Sequence, residues 1–477
     1  MQTLDRHDQR SATTRREFLR FMGLGAGVLL AAACAQPAAA PAPTAAAKPA
    51  GATPAAGGAT TAAAGKSNGS KLTIWGWQSF TPEGDKALGD QMQQWGSANN
   101  TQVEYVVVEN AQFPQKLAAA IEAKAPPDVV MLTGASNVID YASRNLLVDV
   151  SDVWKATSTQ AGGFWSFVEP LYKIGNSYFG IPFEAETSPL FARTDLIKQA
   201  TGSTDPPKTL DELTTISQKL NNPPELYACG LTLGRTPDCV GNATAIIWND
   251  GGTLVDKDGK VALNSPETVN AVNRIKSWWD AKLIPPDSPT WDDTGNNAAF
   301  QKKQSAFVIN PPSIYGWMVA NDQDLLSNAT MAAIPAGKSG SYSSSGAWSW
   351  SIFQNTKNVD GAKDLINYLL DPKRVQAVYS QVGGRWYPIY QDGIKDEFWA
   401  SKPQFKGYPD LLKGGRDTSY PAAPDANLFA ALGEIGNRLT LADMVQNVIV
   451  KNMPVADAVK GAHDAMVEVF KARGAKT

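Results

Sequence analysis

The chain has 477 residues, with 43 Lys and Arg against 46 Asp and Glu, for a formal net charge of −3. That mild acidity, with no basic block, argues against nucleic acid as a partner. Two histidines and three cysteines leave no Ser-His-Asp or Cys-His arrangement and no multi-histidine zinc site, so an enzymatic reading would rest on carboxylates.

The first segment is read as an export address. "TTRREFLR" is followed by "FMGLGAGVLLAAAC": a charged stretch, then an apolar run too short for a transmembrane span of about twenty residues. Arg15 and Arg16 before Glu17, Phe18 and Leu19 look like a twin-arginine signal. "LLAAAC" looks like a lipobox, with Ala31 where a leucine is usual, so Cys34 is the expected lipidation site; cleavage at an ordinary A-x-A site is the other reading. Residues 1–33 are the expected signal, and their removal takes five basic and three acidic residues, moving the charge from −3 to −5. Residues 34–70, rich in Ala and Pro and without an aromatic residue, cannot build a core and read as a tether.

From residue 71 strands alternate with helices, which predicts an α/β fold with a parallel sheet. "KLTIWGW" is a strand, "DKALGDQMQQWGSAN" a helix, "TQVEYVVVEN" a strand, "FPQKLAAAIEAKA" a helix and "PPDVVMLTG" a strand. Ligands collect at the carboxyl ends of such strands, here around Trp77 and Gln78, Glu109 and Asn110, and Asn137. In "YFGIPFEAETSPLFARTDL" a strand sets Ile181, Phe183 and Ala185 on one face and Glu184 and Glu186 on the other. "KTLDELTTISQKL" opens a helix at Thr209 and Asp211, and "SPETVNAVNRIKSWWDAKLI" opens one at Ser265 and Pro266. Val269, Val272, Ile275 and Trp279 recur at helical spacing, which places Trp279 in a core. Cys229 and Cys239, ten positions apart in an exported chain, read as one disulfide, with two free buried thiols as the alternative. His463 reads as a surface residue of a C-terminal helix.

Several stretches in order carry a family likeness: "KLTIWGW", "KLAAAIEAKAPPDVV", "YFGIPFEAETSPLFARTDL", "PPKTLDEL", "WNDGGTLVDKDGKV", "AFQKKQSAFVI" and "GAWSWSIFQNTKNVDGAKDLINYLL". From Lys71 to the C-terminus the chain resembles the solute-binding proteins of bacterial ABC importers, in the sugar-binding group that includes maltose-binding protein. Ala192-Arg193 and Thr209-Leu210 depart from that pattern at positions that concern local packing. The resemblance implies a two-lobed periplasmic-binding-protein-like fold with crossing hinge strands and a ligand cleft between the lobes. Residues 71–184 plus 336–382 would form the first lobe, and 185–335 plus 383–477 the second. It also implies a monomer anchored outside the cytoplasmic membrane, a carbohydrate ligand, and a membrane permease served by a separate ATPase. Glu186 matches the family's acidic sugar contact; Glu184 matches none.

Fourteen tryptophans favour the carbohydrate reading, since a pyranose face packs on a flat indole whose N–H can also donate. Trp77, Trp248, Trp317, Trp348 and Trp386 lie beside turn residues or at strand ends and are the expected stacking surfaces. Arg385 is expected to meet a glutamate or a ligand oxygen, which keeps a glycerol-phosphate-type solute as an alternative. A glycoside hydrolase would need two carboxylates flanking a bond, and adjacent acids on one strand face cannot do so. Neither a cofactor nor a metal is expected.

Overall fold

A computed structural model describes residues 70–477 except Phe80, Asn110, Ala111, Ala423 and Pro424. The expected signal, tether and lipidation site at Cys34 lie outside the described residues. In chain order the strands are β1 (Ser70–Trp77), β2 (Thr101–Val108), β3 (Val129–Thr133), β4 (Lys173–Ile174), β5 (Ser177–Tyr178), β6 (Ile181–Thr187) and β7 (Leu190–Arg193). They continue as β8 (Tyr227–Cys229), β9 (Ser305–Ile309), β10 (Ala329–Ala332), β11 (Ser343–Ile352) and β12 (Gly415–Arg416).

Two main sheets result. The first has the order β12-β11-β3-β1-β2, with β6 also pairing with β11. Its centre is parallel, β1 lying between β2 and β3, while β11 runs antiparallel to β3 and β6. The second has the order β10-β7-β9-β8. β3 is apolar and buried from Val129 to Leu132, as expected of a strand inside a largely parallel sheet, and ends in the partly exposed Thr133. The helix Pro82–Ala98 sets Leu88, Met92 and Trp95 inward at helical spacing.

β6 pairs with the first sheet and β7 with the second, so the chain passes between sheets at residues 188–189. It returns between β10 and β11. A further segment runs beside β6, where the Ala185 N–H donates to the Tyr387 carbonyl at 3.1 Å. Ile181, Phe183 and Ala185 are buried as expected, but the strand is covered on its other face as well, and of the two acids only Glu186 is exposed. The helix Ala426–Arg438 meets the helix Ala135–Ser143 so closely that a Cβ on Gly433 would lie 2.9 Å from that of Ser136.

Helix starts follow their caps. Thr209 opens Leu210–Leu220 through a full capping box, its partner being Glu212 rather than Asp211. Ser265 caps Pro266–Asp280. In that helix Trp278, not Trp279, is the buried indole: it continues the face of Ala271, Val272 and Ile275, and its Nε1 donates to Thr214 Oγ1 at 2.8 Å. Trp279 is half-buried. His463 is also half-buried, its Nδ1 accepting from the Asn264 N–H at 3.3 Å.

The disulfide reading is corrected: Cys229 and Cys239 are free, buried thiols. Cys229 Sγ lies 3.2 Å from Ser217 Oγ, and Cys239 sits in the first turn of the helix Pro237–Asp250. Both fill core space as small apolar groups. Burial pushes the Cys229 thiol up to about 11 and that of Cys239 up to about 12, the latter also raised by Asp238 and Asp443. Neither is therefore reactive while folded. In a thiol titration both should stay silent in the native chain and react on unfolding in urea. A melting temperature lowered by reductant would contradict this assignment.

Candidate functional site

The carboxyl end of the first sheet carries a run of aromatic rings. Trp77, the last residue of β1, stacks on Phe113 with ring centroids 4.6 Å apart, and lies 5.5 Å from Trp348. Trp348 in turn meets Trp386 edge-on at 6.1 Å, and Trp386 meets Phe183 at 5.5 Å. Trp348 stands opposite Thr133, the end of β3, so these rings gather where a parallel sheet places its ligand. The Trp77 indole N–H is buried without a partner.

The strand β6 brings two acids to this run, in different states. Glu186 is exposed, and its Oε2 accepts from Trp348 Nε1 at 3.1 Å. Glu184 is only 2 % exposed, with Oε1 unpartnered. Burial first, and the charge of Glu186 second, raise its carboxyl well above the ordinary range; Arg385 and the backbone N–H groups of Trp348 and Tyr387 pull the other way. Glu184 thus lies beneath the surface, and Glu186 is the acid that faces outward.

A second group approaches from the other sheet. The Asn310 N–H donates to the carbonyl of Pro189, just past β6, at 3.2 Å. Asn296 Nδ2 donates to Asn310 Oδ1 at 2.8 Å and to Asp238 Oδ2 at 3.0 Å. Asp238 belongs to the first turn of Pro237–Asp250, where a helix terminus favours a carboxylate. Burial outweighs that and pushes Asp238 up to about 7, aided by the charges of Asp293 and Glu186 and opposed by the Asn296 hydrogen bond. One turn on, the Asn242 side chain is buried with Nδ2 unpartnered. This group thus carries acceptors and an unpartnered buried donor, and it lies near enough to Glu186 for that charge to act on Asp238; with the indole rings beside Glu186 the set suits a polyhydroxyl solute with apolar faces.

The remaining expected residues divide. Gln78 follows β1, its N–H donating to the Val108 carbonyl at 3.2 Å. Glu109 is exposed just past β2, and Asn137 is exposed in the first turn of the helix Ala135–Ser143 that follows β3, its Nδ2 turning back to the Thr133 carbonyl at 2.7 Å; Asn110 is outside the described residues. Arg385 is half-buried and acts on Glu184. Trp348 and Trp386 are corrected as stacking surfaces too: both are buried, Trp348 at 6 % exposure between the rings of Trp77 and Trp386, so neither presents an open face. Trp248 is corrected as a stacking surface: it is 1 % exposed within Pro237–Asp250, because the turn that follows does not decide which way the helix faces. Trp317 is half-buried on the helix Ser313–Asn321, and no ring contact joins it to Trp77 or Trp348 among the described residues. Asp238, Asn296 and Asn310 escape sequence reasoning, since an acid in a first helical turn and two isolated amides carry no chemical signature of their own.

The fold is that of a two-lobed solute-binding protein, with polar and aromatic groups gathered where the chain crosses between sheets. Residues 78–376 match the bacterial extracellular solute-binding protein family, and the chain belongs to that family. It is similar to a probable ABC transporter-binding protein of Deinococcus radiodurans, 29 % identical over 43 % of this chain and 52 % of that one, so the match spans about half the relative's length. The arabinooligosaccharide-binding protein of Bacillus subtilis is 22 % identical over 74 % of this chain and 80 % of its own. Among solved structures, the sugar-binding protein MalE of Xanthomonas citri superposes with a TM-score of 0.72 at 18 % identity, covering 85 % of this chain and 98 % of its own.

Proposed function

We propose that the chain is the carbohydrate-binding component of an ABC importer. It captures a sugar or oligosaccharide between its lobes and hands it to a membrane permease without altering it. The lobes are residues 71–184 plus 336–382 and residues 185–335 plus 383–477, closing about the crossings beside β6; ligand contacts from both favour the closed state. Export by the twin-arginine signal and anchoring through Cys34 would hold the protein outside the cytoplasmic membrane, near its permease. Among the described residues no helix is long and apolar enough to cross a membrane, in keeping with attachment through a tether.

The observation that carries this reading is the Glu186–Trp348 hydrogen bond within the Trp77–Trp348 run. The buried Trp348 gives its N–H to a carboxylate that accepts hydroxyl protons, and the half-buried Trp77 beside it supplies the stacking face. The relatives above are named for arabinooligosaccharides and sugars. The hydrolase reading loses ground because Glu184 is buried, which leaves Glu186 without a facing carboxylate on its own strand. The test is a thermal-shift screen against mono- and oligosaccharides, glycerol phosphates, polyamines and amino acids, with the bound sugar recovered and its length checked. A ligand that binds only the folded state raises the melting temperature by mass action. A shift confined to carbohydrates, with ligand returned intact, is expected; a shift with phosphates or amines alone, or shortened sugar, would defeat the proposal.

A further inference from the structure

The face of the first sheet that carries Trp348 and Glu186 continues to a second aromatic group. In the register of β11, Trp348 stands opposite Glu184, Gly346 opposite Glu186, and Ser344 opposite Arg416 of β12. Residues directly opposite in paired strands share a face, as do alternate residues of one strand. Arg416, Glu186 and Trp348 therefore lie in a row on one side. Exposure agrees: Ser344 and Gly346 are partly exposed, whereas Ser343, Ser345 and Ala347 are buried. On the opposite side the Thr187 hydroxyl bonds to those of Ser343 and Ser345 at 2.9 and 2.8 Å.

At the far end of this row Arg416 is set between two rings. Its guanidinium carbon lies 3.1 Å from the ring centre of Tyr342 and 3.7 Å from that of Tyr420, and its Nη2 donates to the Tyr420 hydroxyl at 3.1 Å. Tyr342, two residues before Ser344, is fixed at both ends: its N–H donates to Asn249 Oδ1 at 2.7 Å and its hydroxyl to the Ser339 carbonyl at 2.8 Å. Asp417 Oδ1 accepts from the N–H and hydroxyl of Ser419 at 2.7 and 2.5 Å, holding the turn that carries Tyr420. A planar cation stacked on a ring keeps that ring in place. Tyr420 is nonetheless 40 % exposed, the one aromatic among the strongly exposed large side chains of the described residues.

We infer that Tyr342, Arg416 and Tyr420 form a distal subsite, and that the ligand is an oligosaccharide long enough to reach from Trp348 past Glu186 to the Tyr420 ring. Ser344 and Trp348 are four strand positions apart, about 13 Å, a span that one pyranose ring cannot bridge and a short oligosaccharide can. The inference rests on the carbohydrate reading above.

The test is titration calorimetry of the full chain with mono-, di-, tri- and tetrasaccharides of the malto, cello, xylo and arabino series. In whichever series binds, affinity is expected to rise at least tenfold from disaccharide to tetrasaccharide. Tyr420→Ala should remove that gain and leave disaccharide affinity within twofold of the parent. Arg416→Lys, which keeps the charge and loses the planar stack, should remove part of it. A mono- or disaccharide bound as tightly as the tetrasaccharide overturns the inference and leaves the carbohydrate reading intact. So does a Tyr420→Ala chain weakened equally at every length. No binding in any series overturns both.

Discussion

Replacing Asp238 with asparagine should stabilise the folded chain at pH 8 by about 2–4 kcal/mol and change nothing near pH 4. The Asp238 carboxyl is raised from its ordinary 3.8 to about 7 in the folded state, chiefly by burial. The folded chain then holds a proton that the unfolded chain releases, so stability is full below the unfolded pKa. It declines as pH rises from about 4 to 7, then levels off. Each tenfold tightening of a proton's hold is worth about 1.4 kcal/mol, and the lower end of the range allows for partial exposure. Asparagine keeps an acceptor for Asn296 Nδ2 and has no proton to lose. Glu184→Gln should act in the same direction, because burial raises the Glu184 carboxyl as well. Opposing them, Asp149 and Glu169 are held low by hydrogen bonds from Ser151 and Ser177 and from Tyr178 and Lys173. Stability from those groups is present above the unfolded values and is lost as pH falls through the folded ones. Between pH 4 and 8 these two trends oppose one another in the parent, and the Asp238→Asn chain lacks the loss that Asp238 causes. Urea unfolding across that pH range, extrapolated linearly to water, measures this directly. An Asp238→Asn chain whose gain is the same at pH 4 and pH 8, or which is destabilised at pH 8, would show that Asp238 is an ordinary solvated carboxylate.

Much of this fold is visible in the residues. The first sheet announces itself because parallel strands buried on both faces read as short apolar runs, as "VVMLT" does. The crossing strand is legible because its period of two sets Glu186 apart from Phe183 and Ala185, whereas its pairing with β11 is seen only in the fold. Local chemistry cannot say which of two adjacent acids is buried: Glu184 and Glu186 share a strand face, and only the neighbours Tyr387 and Arg385, some 200 positions away, separate them. The same limit explains Trp248, where a following Gly-Gly turn suggested exposure and the helix turned the ring inward. Cysteine spacing misled for a related reason, since sequence separation does not report whether two thiols point at each other. Asp238, Asn296 and Asn310 meet through hydrogen bonds between distant segments. Tyr342 and Arg416 likewise meet only through a two-residue strand pairing. A pattern of single residues contains none of these contacts.

The largest effect on binding should follow substitution of Trp348. Its side chain is 6 % exposed, touches the rings of Trp77 and Trp386, and gives its indole N–H to Glu186. Trp348→Ala removes a buried indole and should cost about 3–5 kcal/mol of stability, with ligand affinity lowered at least a hundredfold. That result alone would not separate a damaged fold from a damaged site, so Trp348→Phe is the decisive variant. Phenylalanine keeps an aromatic face against Trp77 and Trp386 but has no N–H for Glu186. A hydrogen bond to a charged acceptor contributes about 1.5–3 kcal/mol. Loss of the one that orients Glu186 should therefore weaken binding by about tenfold or more, while stability falls much less than in the alanine chain. Calorimetry and urea unfolding on the same preparations give both numbers. If Trp348→Phe binds as the parent does, Glu186 needs no indole to orient it, and the carboxylate–indole pair is a packing feature. If Trp348→Ala folds and still binds, the ligand lies elsewhere on the crossing strands.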